Sequence, residues 1–234
     1  AMRFNPDFIE LAGITRGAAL RLESDPGGSN LTALPDDTAA VLHIAGLGQL
    51  ITDNWSTIAD AFAKEGVRVS DIETQLGVTL PDDLALLLGK QLSIALPGQT
   101  LGAGVPTVGL KVTTTDGPKA KALLDRLVQM AGGSSMLAIS VEGNDLFVAS
   151  TSDYVDRLKA KGTLGTKDSF TLAVANPTTA TYAVYVDLDA FESQYIGSVE
   201  PDLTELVKAL RAVGLSTSTA ADGQTSFAIR VVGN

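Results

Sequence analysis

Residues 136–150, "MLAISVEGNDLFVAS", decide the class of this fold. On both sides of Glu142-Gly143-Asn144-Asp145 the side chains alternate with a period of two, as in a strand with two different faces. A glycine and an asparagine between two such runs supply a tight turn, so the stretch reads as a β-hairpin, which is antiparallel. "ADGQ", residues 221–224, joins "GLSTSTA" to "TSFAIRVV" in the same way. Two hairpins argue against a purely parallel, doubly wound sheet.

Working outward, further β-like runs are "AAVLHIA" from Ala39, "QLSIAL" from Gln91, "TVGLKVT" from Thr107 and "TYAVYVDL" from Thr181. Near-continuous apolar character in "VLHIA" and "YAVYV" predicts strands buried on both faces. The stretch Pro97–Pro106 reads as a hairpin loop. Helical spacing occurs at Leu47, Ile51, Trp55, Ile58 and Phe62. It recurs at Ala120, Leu123, Leu124, Leu127 and Val128, and at Leu203, Leu206, Val207, Leu210 and Val213. Together these predict an α+β fold: one region, 1–234, of antiparallel strands and hairpins with amphipathic helices packed on one or two sheets.

An internal duplication is also expected. A shift of 141 (179 − 38) sets "TAAVLHIAGLGQL" on "TATYAVYVDLDAF", and a shift of 123 (215 − 92) sets Leu92 on Leu215 and Ser93 on Ser216. The pseudo-repeat halves are about 34–115 and 175–232. Phe8–Leu34 reads as the second half of such a unit: a helix end, a strand at Ala18–Leu22, a Pro-Gly-Gly turn and a returning strand. A chain that opens halfway through a unit, behind the tag-like "AMRF", reads as the C-terminal fragment of a longer protein.

Composition narrows the function. With 27 acidic and 17 basic side chains the formal charge is −10, which repels phosphate backbones and anionic headgroups, so no nucleic acid is expected as a partner. The absence of cysteine excludes disulfides and thiolate chemistry, and a single histidine, His43, excludes paired-imidazole sites. No run reaches the ~18 apolar residues of a membrane span; Leu84–Leu96 is interrupted by Gly89, Lys90 and Gln91. No secretory signal is read either.

Four features could carry chemistry. "VLHIAGLGQLI" has the strand, Gly-x-Gly and helix that open a dinucleotide fingerprint, but Ile51 stands at the third glycine position, and the reading is a tight strand-to-helix turn. Asp187, Asp189 and Glu192 in "DLDAFE" are candidate oxygen ligands for Ca²⁺ or Mg²⁺. Acidic side chains at a helix start explain them equally without a metal. His43 sits inside an apolar strand with no Gly-x-Ser-x-Gly elbow anywhere, so no catalytic residue is assigned. "LPDD" occurs at Leu34–Asp37 and again at Leu80–Asp83. The first pair reads as a turn before a strand. The second reads as a helix start with Thr79 as cap, Asp82 closing a capping box, Pro81 in the first turn and Gly89 as the stop.

"LPDDTAAVLHI", "LGVTLPDDLALLLGKQLSIAL", "VGLKVTTTDGPKAKALLDRL", "NDLFVASTSDYVDRL" and "TYAVYVDLDAF", in that order, resemble the domain-of-unknown-function family 3352 of high-GC Gram-positive bacteria, from about Leu34 to Val232. The resemblance implies an N-terminal transmembrane anchor upstream and an extracytoplasmic location, and it carries no functional residues over. The resulting expectation is a non-enzymatic, cofactor-free module of the cell envelope that binds an envelope component, a protein partner or an apolar ligand. A metal-assisted hydrolase using the acidic cluster and a structural spacer are the alternatives.

Overall fold

The computed structural model describes residues 1–16, 28–99, 105–132, 137–220 and 222–234. Ten strands form a single, wholly antiparallel sheet: β1 (Met2–Phe4), β2 (Phe8–Thr15), β3 (Thr38–Ala45), β4 (Gln91–Pro97), β5 (Gly109–Thr113), β6 (Ala138–Glu142), β7 (Asp145–Ala149), β8 (Tyr182–Asp187), β9 (Leu210–Thr219) and β10 (Thr225–Gly233). Their order is β1-β2-β10-β9-β8-β3-β4-β5-β7-β6. Both expected hairpins form, and Gly143 turns the first of them at φ 58°. With its helices the molecule is α+β.

Register defines two unlike faces. Leu42 lies opposite both Val184 and Ile94, Ile94 opposite Leu110, and Leu110 opposite Val148, giving one apolar face across the sheet. On the other face Ser93 lies opposite His43 and Lys111, and Lys111 opposite Phe147. "VLHIA" and "YAVYV" therefore alternate: Val41, His43, Ala183 and Tyr185 are buried, while Leu42, Ile44, Val184 and Val186 are only half-buried. The expected burial on both sides is corrected, because helices cover the two faces unequally.

Helices α1 (Gly28–Thr32), α7 (Ser152–Lys159) and α8 (Asp168–Ala173) cover the mixed face. Tyr154, Leu158 and Phe170 descend from them onto Phe147, Ala183 and Tyr185, and Phe170 meets the Tyr185 ring edge-on at 5.2 Å. At Gly214 the α8 backbone comes so close that an added Cβ would stand 2.3 Å from the Ala173 carbonyl oxygen. On the apolar face lie α5 (Asp82–Leu88) and α6 (Gly117–Met130), whose Leu86 and Ala120 are buried with Leu92, Val112, Leu146 and Val148; Leu123 of α6 is buried too. α2 (Leu47–Asp53) packs on α5, and α3 (Trp55–Lys64) and α4 (Val69–Leu76) follow it without burying any side chain fully. α9 (Glu192–Tyr195) and α10 (Pro201–Lys208) make the corresponding connection from β8 to β9.

Several expectations fail on detail. Phe8–Thr15 is a strand, not a helix end: its residues pair one-to-one with β10. Ala18–Leu22 lies outside the described residues. The expected returning strand is instead helix α1 and the turn that follows it, which bury Leu31 and Leu34 in the core. The helix expected over Leu47–Phe62 is two helices broken at Asn54. The one expected through Val213 stops at Lys208, because Leu210 and Val213 join the β9 ladder, where Val213 faces both Val186 and Val231. The 141-residue shift sets Leu42 on Ala183, which lie on opposite faces; an even shift, such as the 142 (184 − 42) relating Leu42 to Val184, keeps the faces together.

Candidate functional site

The polar motifs resolve mainly into structural roles. His43 is fully buried, with Nδ1 2.8 Å from Ser93 Oγ, and Ser93 is fully buried as well. A serine beside the single histidine is the pairing a nucleophile needs, yet neither side chain meets solvent. Next in the row stands Lys111, its ammonium 5.6 Å from the Phe147 ring centroid. Burial lowers its pKa, and the nearby Asp145 charge opposes that shift.

Asp187, Asp189 and Glu192 do not converge. Asp187 is buried against Lys167 Nζ at 2.8 Å, Tyr185 Oη at 3.2 Å and Ser169 Oγ at 3.3 Å, and it accepts the Ala190 amide at 3.4 Å. Its valences are thus taken by the fold. Burial, then the Asp187 charge, pushes the Tyr185 phenol upward, against the Ser169 hydrogen bond. Asp189 is exposed and accepts from Asn234, and Glu192 sits half-buried in the first turn of α9. Among the described residues no three acidic or histidine side chains group to hold a metal.

The two LPDD pairs lie apart. Asp37 pairs with Arg157 of α7, on the mixed face, whereas Asp83 lies 3.6 Å from Lys119 of α6, on the apolar face. Asp36 and Asp37 form the expected turn, closed by Thr38 N–H donating to the Pro35 carbonyl. The expected capping box is corrected: Pro81, not Thr79, is the N-cap of α5, with no side-chain cap bond, and Asp83, not Asp82, accepts the Thr79 amide at 2.8 Å; Gly89 stops the helix at φ 64°.

Gly46 and Gly48 serve packing. The Gly46 and Gly48 amides donate to the Lys90 and Gly89 carbonyls at 2.7 and 3.0 Å, so they are not aimed at a phosphate. A Cβ at Gly48 would stand 2.5 Å from the Ala85 carbonyl oxygen, because α2 and α5 touch there. Beside them lies an open cleft of about 740 Å³ bordered by Gln49, Thr52, Lys90, Asp82, Asp116 and Lys119. Its charges are mixed and partly engaged: Asp116 caps α6 by accepting the Lys119 amide, and the Lys119 side chain leans to Asp83.

A second cavity has a different character. About 530 Å³ opens between the last turn of α6 and the ends of β5 and β7, lined by Val105, Leu110, Val128, Ala131, Leu137 and Val148, among others. Among the described residues its one polar side chain, Ser150, is already occupied: the hydroxyl accepts from Val108 N–H at 3.2 Å and donates to the Pro106 carbonyl at 3.3 Å. Burial along α6 explains the opening. Ala120 and Leu123 are buried, Leu127 and Val128 half-buried, and Met130 exposed, so the C-terminal turn leaves the sheet uncovered beneath it. The groove can hold an apolar molecule, and among the described residues it offers no free polar anchor. Sequence reading assigned Val128 to the core and Val105 to a loop. The available signal was α6's apolar stripe, which runs on past the point where the strands need covering.

No family model, curated protein or solved structure matches the chain.

Proposed function

We propose that this chain is a non-enzymatic binding module of the cell envelope, extracytoplasmic and anchored upstream, as its likeness to family 3352 implies. Its ligand is an apolar chain. The observation that carries this reading is the groove under the C-terminal turn of α6, about 530 Å³ with apolar walls and an already satisfied serine. An alkyl chain entering with eight methylenes gains about 6 kcal/mol at roughly 0.8 kcal/mol each, before the cost of ordering, so affinity is high-micromolar or weaker. Duplication of an ancestral half fits the same reading, since each central strand is followed by helices and then a hairpin.

The test is a titration with a dansyl-labelled C12 fatty acid, repeated with Val128→Glu. Binding that weakens at least tenfold in the variant, with little change in Tm, supports the groove. Equal binding by both proteins, or none at all below the micelle concentration, ends this reading.

A further inference from the structure

The cleft at the start of α6, about 740 Å³, is larger than the groove under its last turn and of opposite character. Its floor includes Gly46, Gly48 and Gly89, where the start of α2 meets the end of α5. Its rim carries two ammonium groups, Lys90 and Lys119, and two carboxylates, Asp82 and Asp116, so the rim is neutral on a chain of net charge −10. The negative field of the whole chain keeps anions away, and a lone cation would enter beside two ammonium groups. A molecule carrying both signs meets neither obstacle.

Half of these charges are held by the fold. Asp116 Oδ1 accepts the Lys119 amide at 3.0 Å, and the Lys119 ammonium stands 3.6 Å from Asp83 Oδ1. Asp82 and Lys90 differ: both are exposed on the rim, and neither has an ion-pair or side-chain hydrogen-bond partner among the described residues. They stand at opposite ends of α5, Asp82 at its first position and Lys90 just past Gly89. At about 1.5 Å per residue the helix holds them roughly 10 Å apart. Two solvated charges on one helix are ordinary by themselves. This pair has a cleft between its members, and the Thr115 hydroxyl, also without a partner among the described residues, lies on the same rim.

We propose that the cleft binds a short free peptide, with its terminal ammonium at Asp82 and its terminal carboxylate at Lys90. At about 3.5 Å per extended residue, three residues span roughly the distance between the two charges. A single amino acid is too short to meet both. The site is independent of the groove, since the two lie at opposite ends of α6.

The test is an NMR titration of the isotope-labelled protein with trialanine, N-acetyl-trialanine, trialanine amide and the doubly blocked peptide. Both pairs are open to water, so affinity is about millimolar, and blocking either end should weaken binding by about two- to fivefold. The amides of Gly46, Gly48, Gly89 and Lys90 should shift. Lys90→Gln should weaken trialanine by the same factor and leave trialanine amide unaffected, and Asp82→Asn should spare only the acetylated peptides. A change in stability does not produce that matching of variant to blocked end. Should either variant unfold, the blocked peptides still decide on the unaltered protein. No shift at the cleft with about 10 mM trialanine overturns the proposal. So does equal binding of the doubly blocked peptide, which would make the cleft a site for neutral polar molecules. A Lys90→Gln effect of one size on trialanine and its amide overturns it as well.

Discussion

The two faces of the sheet reverse the usual association of burial with hydrophobicity. The face under α1, α7 and α8 is the better buried, yet it carries His43, Ser93, Lys111 and Asp187, each with a hydrogen bond, an ion pair or an aromatic ring beside it. The opposite face is almost wholly apolar and is left half-open over most of its width. Buried polar groups are tolerated where they are bonded, as His43 is to Ser93 and Asp187 to Lys167, and that part of the covered face is packed as a structural core. The open one is where apolar surface is still available for binding.

The largest break in that comparison comes from Phe170→Ala on the covered face. Removing a fully buried ring packed edge-on against Tyr185 should cost about 3–5 kcal/mol by urea denaturation. A loss below about 1 kcal/mol would mean that this face is not the tight core. Next is alkaline pH. Burial, then the Asp37 charge, pushes the Tyr154 phenol up to about 12 from its usual 10.0. The unfolded chain releases that proton first, so this group takes stability away as pH climbs from about 10 through about 12 and contributes nothing below. Lys111 works oppositely: lowered in the fold, it lets stability rise with pH on the approach to 10.5. Urea midpoints from pH 8 to 11.5 should therefore fall above 10, and fall less in Tyr154→Phe; parallel curves would remove Tyr154 from the account. The smallest effect is Leu11→Ala on the open face, within about 0.5 kcal/mol. A cost above about 1 kcal/mol by urea denaturation would show that Leu11 is packed in the fold and that this face is not open there.

Much of this architecture was legible in the residues. Glycine-centred turns placed both hairpins, and "LPDD" marked the start of β3 and of α5. What misled was periodicity where two patterns coincide. Leu206, Leu210 and Val213 satisfy a helical spacing, yet the ladder between Val186 and Val231 claims the last two for a strand. "VLHIA" reads as buried throughout because its composition is apolar, whereas actual burial depends on which face receives helices. The groove was illegible for the same reason. Val128 looks like any core residue until the strands beneath it are seen to lie open.

β10 lies between β9, its hairpin partner, and β2, so Thr15 is paired with Thr225 across 210 positions. At roughly 5–20 residues per second of synthesis, β2 waits about 10–40 s before the strand that holds it exists. During that interval β1 and β2 are a free two-stranded ribbon, too small to be stable alone. Pairings of such long range also make folding slow. The last of these ten strands to be synthesised thus closes this sheet, and a chain halted before Thr225 has all of its central strands but nowhere to attach its first two.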